Sequence, residues 1–188
     1  MTINKHYLMT KKTLLTSAIS AAILTAAMPS YAQSFTELAK EGDVIAELRI
    51  RYEGVEDDNA NDDAVAMTAR ARVGYETPSI EGFKALVEYD HVVALQDEYE
   101  SKSSTGPNNT ATSVVVDGIG GDFNRAQISY TYDAVKAILG RQRIILDNAR
   151  FVGNVGWRQN EQTYDALRID LTPVENLSAT YVYMNQVN

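Results

Sequence analysis

Apolar and charged residues alternate with a period of two along most of this chain, and this pattern most constrains its fold. In AELRIRYE (46–53), every second residue is apolar and each residue between them is charged. Successive side chains of a strand point to opposite faces, so this stretch has one apolar face and one ionised face. The alternation recurs in AVAMTARARVGYE (64–76), FKALVEYDHVV (83–93), NRAQISYTYD (124–133), DALRIDLT (165–172) and LSATYVYM (177–184). Repetition on this scale predicts an all-β fold of antiparallel strands.

One further stretch, VKAILGRQRII (135–145), leaves two registers open. In the first, Arg141 and Arg143 fall on the apolar face, and Gly140 marks a bulge that turns them away from it. In the second, Ile138 faces outward and both arginines face inward. The sequence alone does not choose between these registers.

The connections between strands alternate in length. Short turns at 77–82, 133–134 and 172–176 alternate with long, polar connections at 55–64, 95–121 and 146–162. Short turns on one side and long loops on the other are typical of an outer-membrane β-barrel. A secreted β-sandwich also alternates, but the long charged side chains in mid-strand favour an antiparallel transmembrane β-barrel.

The amino terminus predicts export from the cytoplasm. Residues 1–32 combine a basic start, a short apolar run and a small-x-small site before Gln33, which is the pattern of a secretory signal peptide. We expect a periplasmic segment at 33–42 and the barrel at 43–188. Loss of the signal removes three lysines and no acid, so the formal charge moves from −8 to −11. This charge argues against nucleic acid as a partner.

Residues 140–165, GRQRIILDNARFVGNVGWRQNEQTYD, together with AELRIRYE, ARARVGYETPSIEGFKALVEYDHV and DFNRAQISY, resemble the amino-terminal part of the alginate-export family of outer-membrane porins. The resemblance spans roughly residues 43–170. It implies a large monomeric barrel with an arginine-rich channel suited to anionic polyuronates. Seven strands are an odd number for a bacterial barrel, so we expect this chain to be the first part of a larger porin.

The charged strand faces supply the candidate pore-lining residues. A ring of arginines favours anions, whereas mixed ladders of arginine and glutamate only satisfy a polar interior. Both interpretations stay open for Arg49, Arg51, Arg70, Arg72 and Arg125, for Arg141 and Arg143 in the second register, and for Glu47 and Glu88.

The string around residues 146–162 predicts a loop folded against the barrel wall, because it lacks sustained alternation and is rich in hydrogen-bonding side chains. Such residues either brace the loop or act directly on solutes. The candidate bracing residues are Asp147, Asn148, Arg150, Asn154, Trp157, Arg158 and Gln159.

Other chemistry has little support in the sequence. The acidic loop EDDNANDD (56–63) offers Asp57, Asp58, Asp62 and Asp63 as weak calcium ligands, although it lacks the glycine and distal glutamate of an EF-hand and reads better as a solvated loop. His91 is the only histidine that remains after signal removal, and an outer-membrane hydrolase would have to use it.

The sequence therefore predicts a passive outer-membrane channel for small or polymeric anions, with no enzyme activity and no cofactor. Outer-membrane lipids and lipopolysaccharide are the expected surroundings. The alternative is a small closed barrel of about eight strands that is packed shut and has a structural or binding role.

Overall fold

The computed structural model describes residues 41–58 and 62–188. The predicted signal peptide and all but the last two residues of the predicted periplasmic segment lie outside this described part. Within it, no helix is both long enough and apolar enough to cross a membrane.

The described residues form one antiparallel sheet of seven strands, and each strand pairs with the next along the chain. The strands are β1 (Asp43–Val55), β2 (Ala64–Glu76), β3 (Phe83–Glu98), β4 (Gly120–Tyr132), β5 (Val135–Gln142), β6 (Tyr164–Val174) and β7 (Leu177–Val187). The sheet is open, with β1 and β7 at its edges. The prediction of an all-β, antiparallel fold is confirmed.

The connections alternate in length, as the sequence predicts. Turns at 77–82, 133–134 and 175–176 lie at one end of the sheet, and longer segments at 56–63, 99–119 and 143–163 lie at the other. The last short turn is tighter than expected, because β6 continues to Val174 before the chain reverses. The segment expected to be a folded-in loop has no strand of its own and runs from 143 to 163.

The two faces of the sheet differ in what covers them. The 99–119 and 143–163 loops cover one face, here called the inner face, and there even the charged side chain of Arg70 is only 3% exposed. The opposite face, here called the bare face, carries apolar side chains such as Leu48, which is 72% exposed, and Ile128. The charged side of the alternating pattern is thus the covered side.

Small apolar clusters attach the loops to the inner face. Tyr99 and Val115 pack on Ala64 and Ala66 at the start of β2. Ile144 packs with Tyr164 and Ala166 of β6, and Leu146, Val152 and Val182 surround that cluster. Neither cluster is large, so most of the inner face is left to polar contacts.

The structure corrects the second register for residues 135–145. Ile138 is buried on the inner face opposite Ser129, whereas Arg141 lies opposite Ala126 on the bare face. Gly140 has a φ of 114°, and a Cβ on it would lie 2.3 Å from the carbonyl oxygen of Ala126. The arginines do not face inward together, because β5 ends at Gln142 and only Arg143, beyond that end, turns inward.

A bulge in β4 places two successive side chains on the inner face. The pairing of β3 with β4 shifts between Glu88 and Tyr89, which lie opposite Arg125 and Phe123 respectively. Asn124 is the extra residue, and both it and Arg125 hydrogen-bond to Glu88. A bulge of this kind redirects side chains that strict alternation would place on opposite faces.

Candidate functional site

Arginines of β1 and β2 hold the tip of the 143–163 loop against the sheet. Their guanidinium groups donate to backbone carbonyls and so satisfy a loop that has no ladder of its own. The contacts are Arg49 Nη1 to the oxygens of Gly156 (3.0 Å) and Arg158 (2.9 Å), Arg51 Nη1 to Trp157 (2.7 Å), and Arg70 Nη1 to Gln159 (2.9 Å). Three candidate pore-lining arginines therefore brace the loop.

Gln159 fixes the same loop tip from the loop side. Its side chain is fully buried, and its Nε2 donates to the hydroxyl of Thr68 at 2.9 Å and to the carbonyl oxygen of Thr68 at 3.2 Å. The loop tip is therefore bonded to β2 in two ways: Arg70 of β2 donates to the loop backbone, and Gln159 of the loop donates to Thr68 of β2.

Glu161 is the centre of the polar contacts at the other end of the loop. Its carboxylate accepts from Arg143 Nε at 2.7 Å and Asn154 Nδ2 at 2.6 Å, also bonds Asn124, and lies 2.9 Å from Arg72 Nη2. Burial alone would raise the pKa of Glu161, but the hydrogen bonds and the positive charge of Arg143 outweigh it and lower this pKa to about 2. Glu161 is therefore ionised at any physiological pH.

A second group of charges continues this network across the strands. Arg125 Nη2 lies 2.6 Å from Glu88, and Arg72 makes two 2.7 Å bonds to the two oxygens of Asp90. Arg72 Nε is also 3.5 Å from Glu88. Arg72 and Arg125 thus lie on the inner face, where they are paired with carboxylates.

Four charged groups and one aromatic ring meet where the 99–119 loop touches the loop tip. Glu53 pairs with Arg51 and with Arg158, the latter at 3.0 Å, and Asp117 lies close to both arginines. Trp157, which is 60% exposed, has the Arg158 guanidinium 4.1 Å and the Arg51 guanidinium 5.0 Å from its ring centre. These distances are those of cation–π contacts, which fix an aromatic ring that is still open to solvent.

Two further predicted pore-lining residues, Arg141 and Glu47, lie on opposite faces of the sheet. Arg141 is on the bare face, where it bonds Asp165 at 3.0 Å, Asp122 at 3.3 Å and the carbonyl oxygen of Phe123 at 3.0 Å. The inward orientation that the second register gave Arg141 is therefore wrong, and a pore-lining role for this residue stays a prediction. Glu47 is on the inner face, where it pairs with Arg70.

Asp147, Asn148 and Arg150, the predicted bracing residues nearest the start of the loop, are placed in a local turn. Asn148 Oδ1 accepts from the backbone N–H of Arg150 at 3.1 Å, and the Arg150 guanidinium lies 5.8 Å from the ring of Phe151. Asp147 has a φ of 50°, which is the left-handed conformation of a tight turn. These three residues shape a turn. Asn154 bonds Glu161 within the same loop, whereas Arg158 and Gln159 reach β1 and β2.

The metal and hydrolase hypotheses gain no support from the geometry. The weak calcium loop falls partly outside the described residues, and its Asp62 bonds by its backbone to Ala111 and Ser113. Within residues 41–58 and 62–188, no group of three or more His, Asp or Glu side chains is arranged to hold a metal ion. His91 is exposed on the bare face, opposite Gly121.

Sequence reasoning did not single out Thr68, Asp117 or Asn124, which all belong to this site. Thr68 carries a signal, because it follows the inner-face alternation of β2. Asn124 is placed by a bulge and Asp117 by an irregular loop, and neither has a local pattern that shows its burial.

The fold, seven antiparallel strands in one open sheet, matches part of an outer-membrane porin barrel. One matching solved structure is the crystal structure of OccAB1 from Acinetobacter baumannii, with a TM-score of 0.57 and 16% sequence identity. The match covers 84% of this chain and 36% of that chain, so this chain spans well under half the length of that protein. At this identity the match shows the fold alone.

Searches with family models and among curated proteins find no match. The antiparallel β fold thus rests on the structure and its structural match, while the resemblance to the alginate-export family stays a prediction.

Proposed function

We propose that this sheet is a section of the wall of an outer-membrane channel through which anionic solutes diffuse passively, with the 143–163 loop narrowing the lumen. The observation that carries the proposal is the polarity of the two faces. A sheet in water covers its apolar face, but here the covered face is charged, and the bare face exposes large apolar side chains on all seven strands. An apolar surface of this extent is suited to lipid.

The unpaired edges of β1 and β7 also support a place for this sheet in a closed membrane barrel. In lipid, the backbone groups of β1 and β7 that face away from the sheet need partner strands, because no water is present to satisfy them. A closed wall that includes these strands meets that requirement. Outer-membrane lipid and lipopolysaccharide are then the surroundings of the bare face.

Arg49 supports a preference for anions. It is held by the carbonyl oxygens of Gly156 and Arg158, whereas Arg51, Arg70, Arg72, Arg125 and Arg143 each pair with a carboxylate. A cation that is held by dipoles keeps its full charge near the lumen. The sequence resemblance of residues 140–165 adds alginate-like polyuronates as one class of polymeric anion.

The test is the reversal potential, in planar lipid bilayers under a KCl gradient, of the closed barrel whose wall includes these seven strands. We expect conductance with chloride favoured over potassium, and a permeability ratio about fivefold lower in Arg49→Gln. The estimate assumes a unit charge about 8 Å from an ion in water, which changes the free energy of that ion by about 0.5 kcal/mol, with opposite signs for anion and cation.

Arg49→Lys is the matched control, because it keeps the charge while it loses hydrogen bonds to the loop. If Arg49→Lys lowers the ratio as much as Arg49→Gln, the arginine acts through the loop and the anion preference has another origin. Arg72 and Arg125 are poorer test sites, since a change at either also breaks ion pairs with Glu88.

The second candidate is a closed, non-conducting barrel with a structural or binding role. It is favoured by the two loops that cover the inner face and by the ion pairs between them and the wall. A folded, heat-modifiable protein that gives no conductance in the same bilayers would establish this candidate over the channel.

A further inference from the structure

Asp117 of the 99–119 loop is a buried carboxylate with incomplete hydrogen bonding. Its side chain is 1% exposed, and its Oδ1 accepts one bond, from the backbone N–H of Gln159 at 3.3 Å. Its Oδ2 has no hydrogen-bond partner within the described structure and lies 3.6 Å from Arg51 Nε. A carboxylate held this loosely changes its protonation state more readily than one that is fully bonded.

The charges around Asp117 balance only while it is ionised. Arg51 of β1 and Arg158 of the 143–163 loop supply two positive charges, and Glu53 of β1 and Asp117 supply two negative ones. Protonation of Asp117 leaves one net positive charge beside the exposed ring of Trp157.

Neutral contacts hold the same backbone in place. The Tyr99 hydroxyl donates to the carbonyl oxygen of Asp117 at 3.0 Å, and Asn160 Nδ2 donates to the carbonyl oxygen of Gly118 at 3.1 Å. Neither bond depends on the charge of the Asp117 carboxyl. The loop therefore keeps its position when the carboxyl takes up a proton.

We infer that Asp117 is a selectivity-determining residue: protonation of its carboxyl leaves Arg51 and Arg158 in excess and strengthens the preference of the channel for anions. This inference rests on the proposed channel function. It adds a pH-dependent component to the selectivity of the channel, and it places that component at the contact between two loops.

The electrostatics of the site agree with this role. Burial raises the pKa of Asp117, and Glu53 raises it further, while Arg51, Arg158 and the Gln159 N–H oppose them without restoring the ordinary value. Because the pKa is raised in the folded state, the protonated form is the one that folding favours. Protonation of Asp117 in acid thus stabilises the folded state. Glu161 does not take part in this change, because it stays ionised until the pH falls to its pKa of about 2.

The experiment measures the reversal potential of the closed barrel that includes these strands, in planar bilayers between about pH 7 and about pH 4. We expect the ratio of chloride to potassium permeability in the wild type to rise by about fivefold as Asp117 is protonated. Asp117→Asn should show the high ratio at neutral pH and a flatter pH profile. Asp165→Asn, which removes a carboxylate from the bare face, should keep the wild-type profile.

Two results would overturn the inference while leaving the channel intact. One is an Asp117→Asn profile that follows the wild type. The other is a larger single-channel conductance with a lower anion preference, which would mean that the variant displaces the loop. Absence of conductance from folded wild-type protein would instead refute the proposed channel and this inference with it.

Discussion

Replacement of Glu161 by glutamine isolates the contribution of one buried carboxylate to the position of the 143–163 loop. The Glu161 side chain is 3% exposed and touches Arg72, Arg143 and Asn154 at 2.6–2.9 Å. Glutamine keeps the shape of this side chain but not its charge. The Arg143 guanidinium would then lose its nearest carboxylate partner, while Arg72 would keep its two bonds to Asp90.

The expected loss of stability follows from the pKa of Glu161, which falls from an ordinary value of 4.5 to about 2 in the folded protein. At 1.36 kcal/mol for each pH unit, this difference corresponds to about 3 kcal/mol. Removal of one partner from a buried ion pair typically costs roughly 3–5 kcal/mol, which agrees. Because the folded pKa is depressed, the stabilisation is complete above the unfolded value of 4.5 and is lost as the pH falls towards 2.

The assay is equilibrium unfolding of the full chain in detergent, followed by the fluorescence of Trp157, the one tryptophan of the sequence. We expect Glu161→Gln to lower the free energy of unfolding by about 3 kcal/mol at neutral pH. The control is Asp165→Asn, whose partly exposed pair with Arg141 should contribute at most about 1 kcal/mol. Equal losses in the two variants, or a Glu161→Gln deficit that stays the same near pH 2, would refute the reasoning.

Two further pairs of variants test the backbone and the bare face. Gly140→Ala should lower the free energy of unfolding by about 1–3 kcal/mol more than Gly120→Ala, as measured by denaturant titration. Both glycines have positive φ, but only at Gly140 does a Cβ meet a backbone oxygen, so equal losses would contradict the steric argument. Leu48→Lys, in the middle of β1, should cost about 2–4 kcal/mol, and Val44→Lys, near its end, at most about 1 kcal/mol. The fraction of each variant that migrates as a heat-modifiable folded band measures this difference in stability. A larger loss in Val44→Lys than in Leu48→Lys would argue against lipid at the bare face.

The strands are predictable from sequence because alternation is a local property that each strand carries by itself. The 143–163 loop is predictable for the complementary reason, since it lacks alternation and is rich in amide and guanidinium groups. The register of β5 is not predictable, because the charge of Arg141 on the bare face is satisfied by Asp122 and Asp165 from two other strands. Local sequence does not show which distant partners will meet.

The roles of the inner-face arginines show the same limit. Sequence places Arg49, Arg51 and Arg70 on the charged face of β1 and β2, and the structure confirms that placement. It does not show that their hydrogen bonds go to the carbonyls of a loop more than 80 residues away. Asp117 is the extreme case, because it belongs to a polar tract whose composition is that of an exposed loop.

The 143–163 loop also links strands that lie far apart in the sheet. It is joined covalently to β5 and β6 at its two ends, while its tip is bonded to β1 and β2. Four strand spacings, roughly 19 Å along the sheet, separate β1 from β5. Flattening or curling of the sheet would change the distance between β1 and β5, so the bonds at the loop tip oppose both movements. A loop therefore constrains the curvature of this sheet in addition to the hydrogen-bond register of its strands.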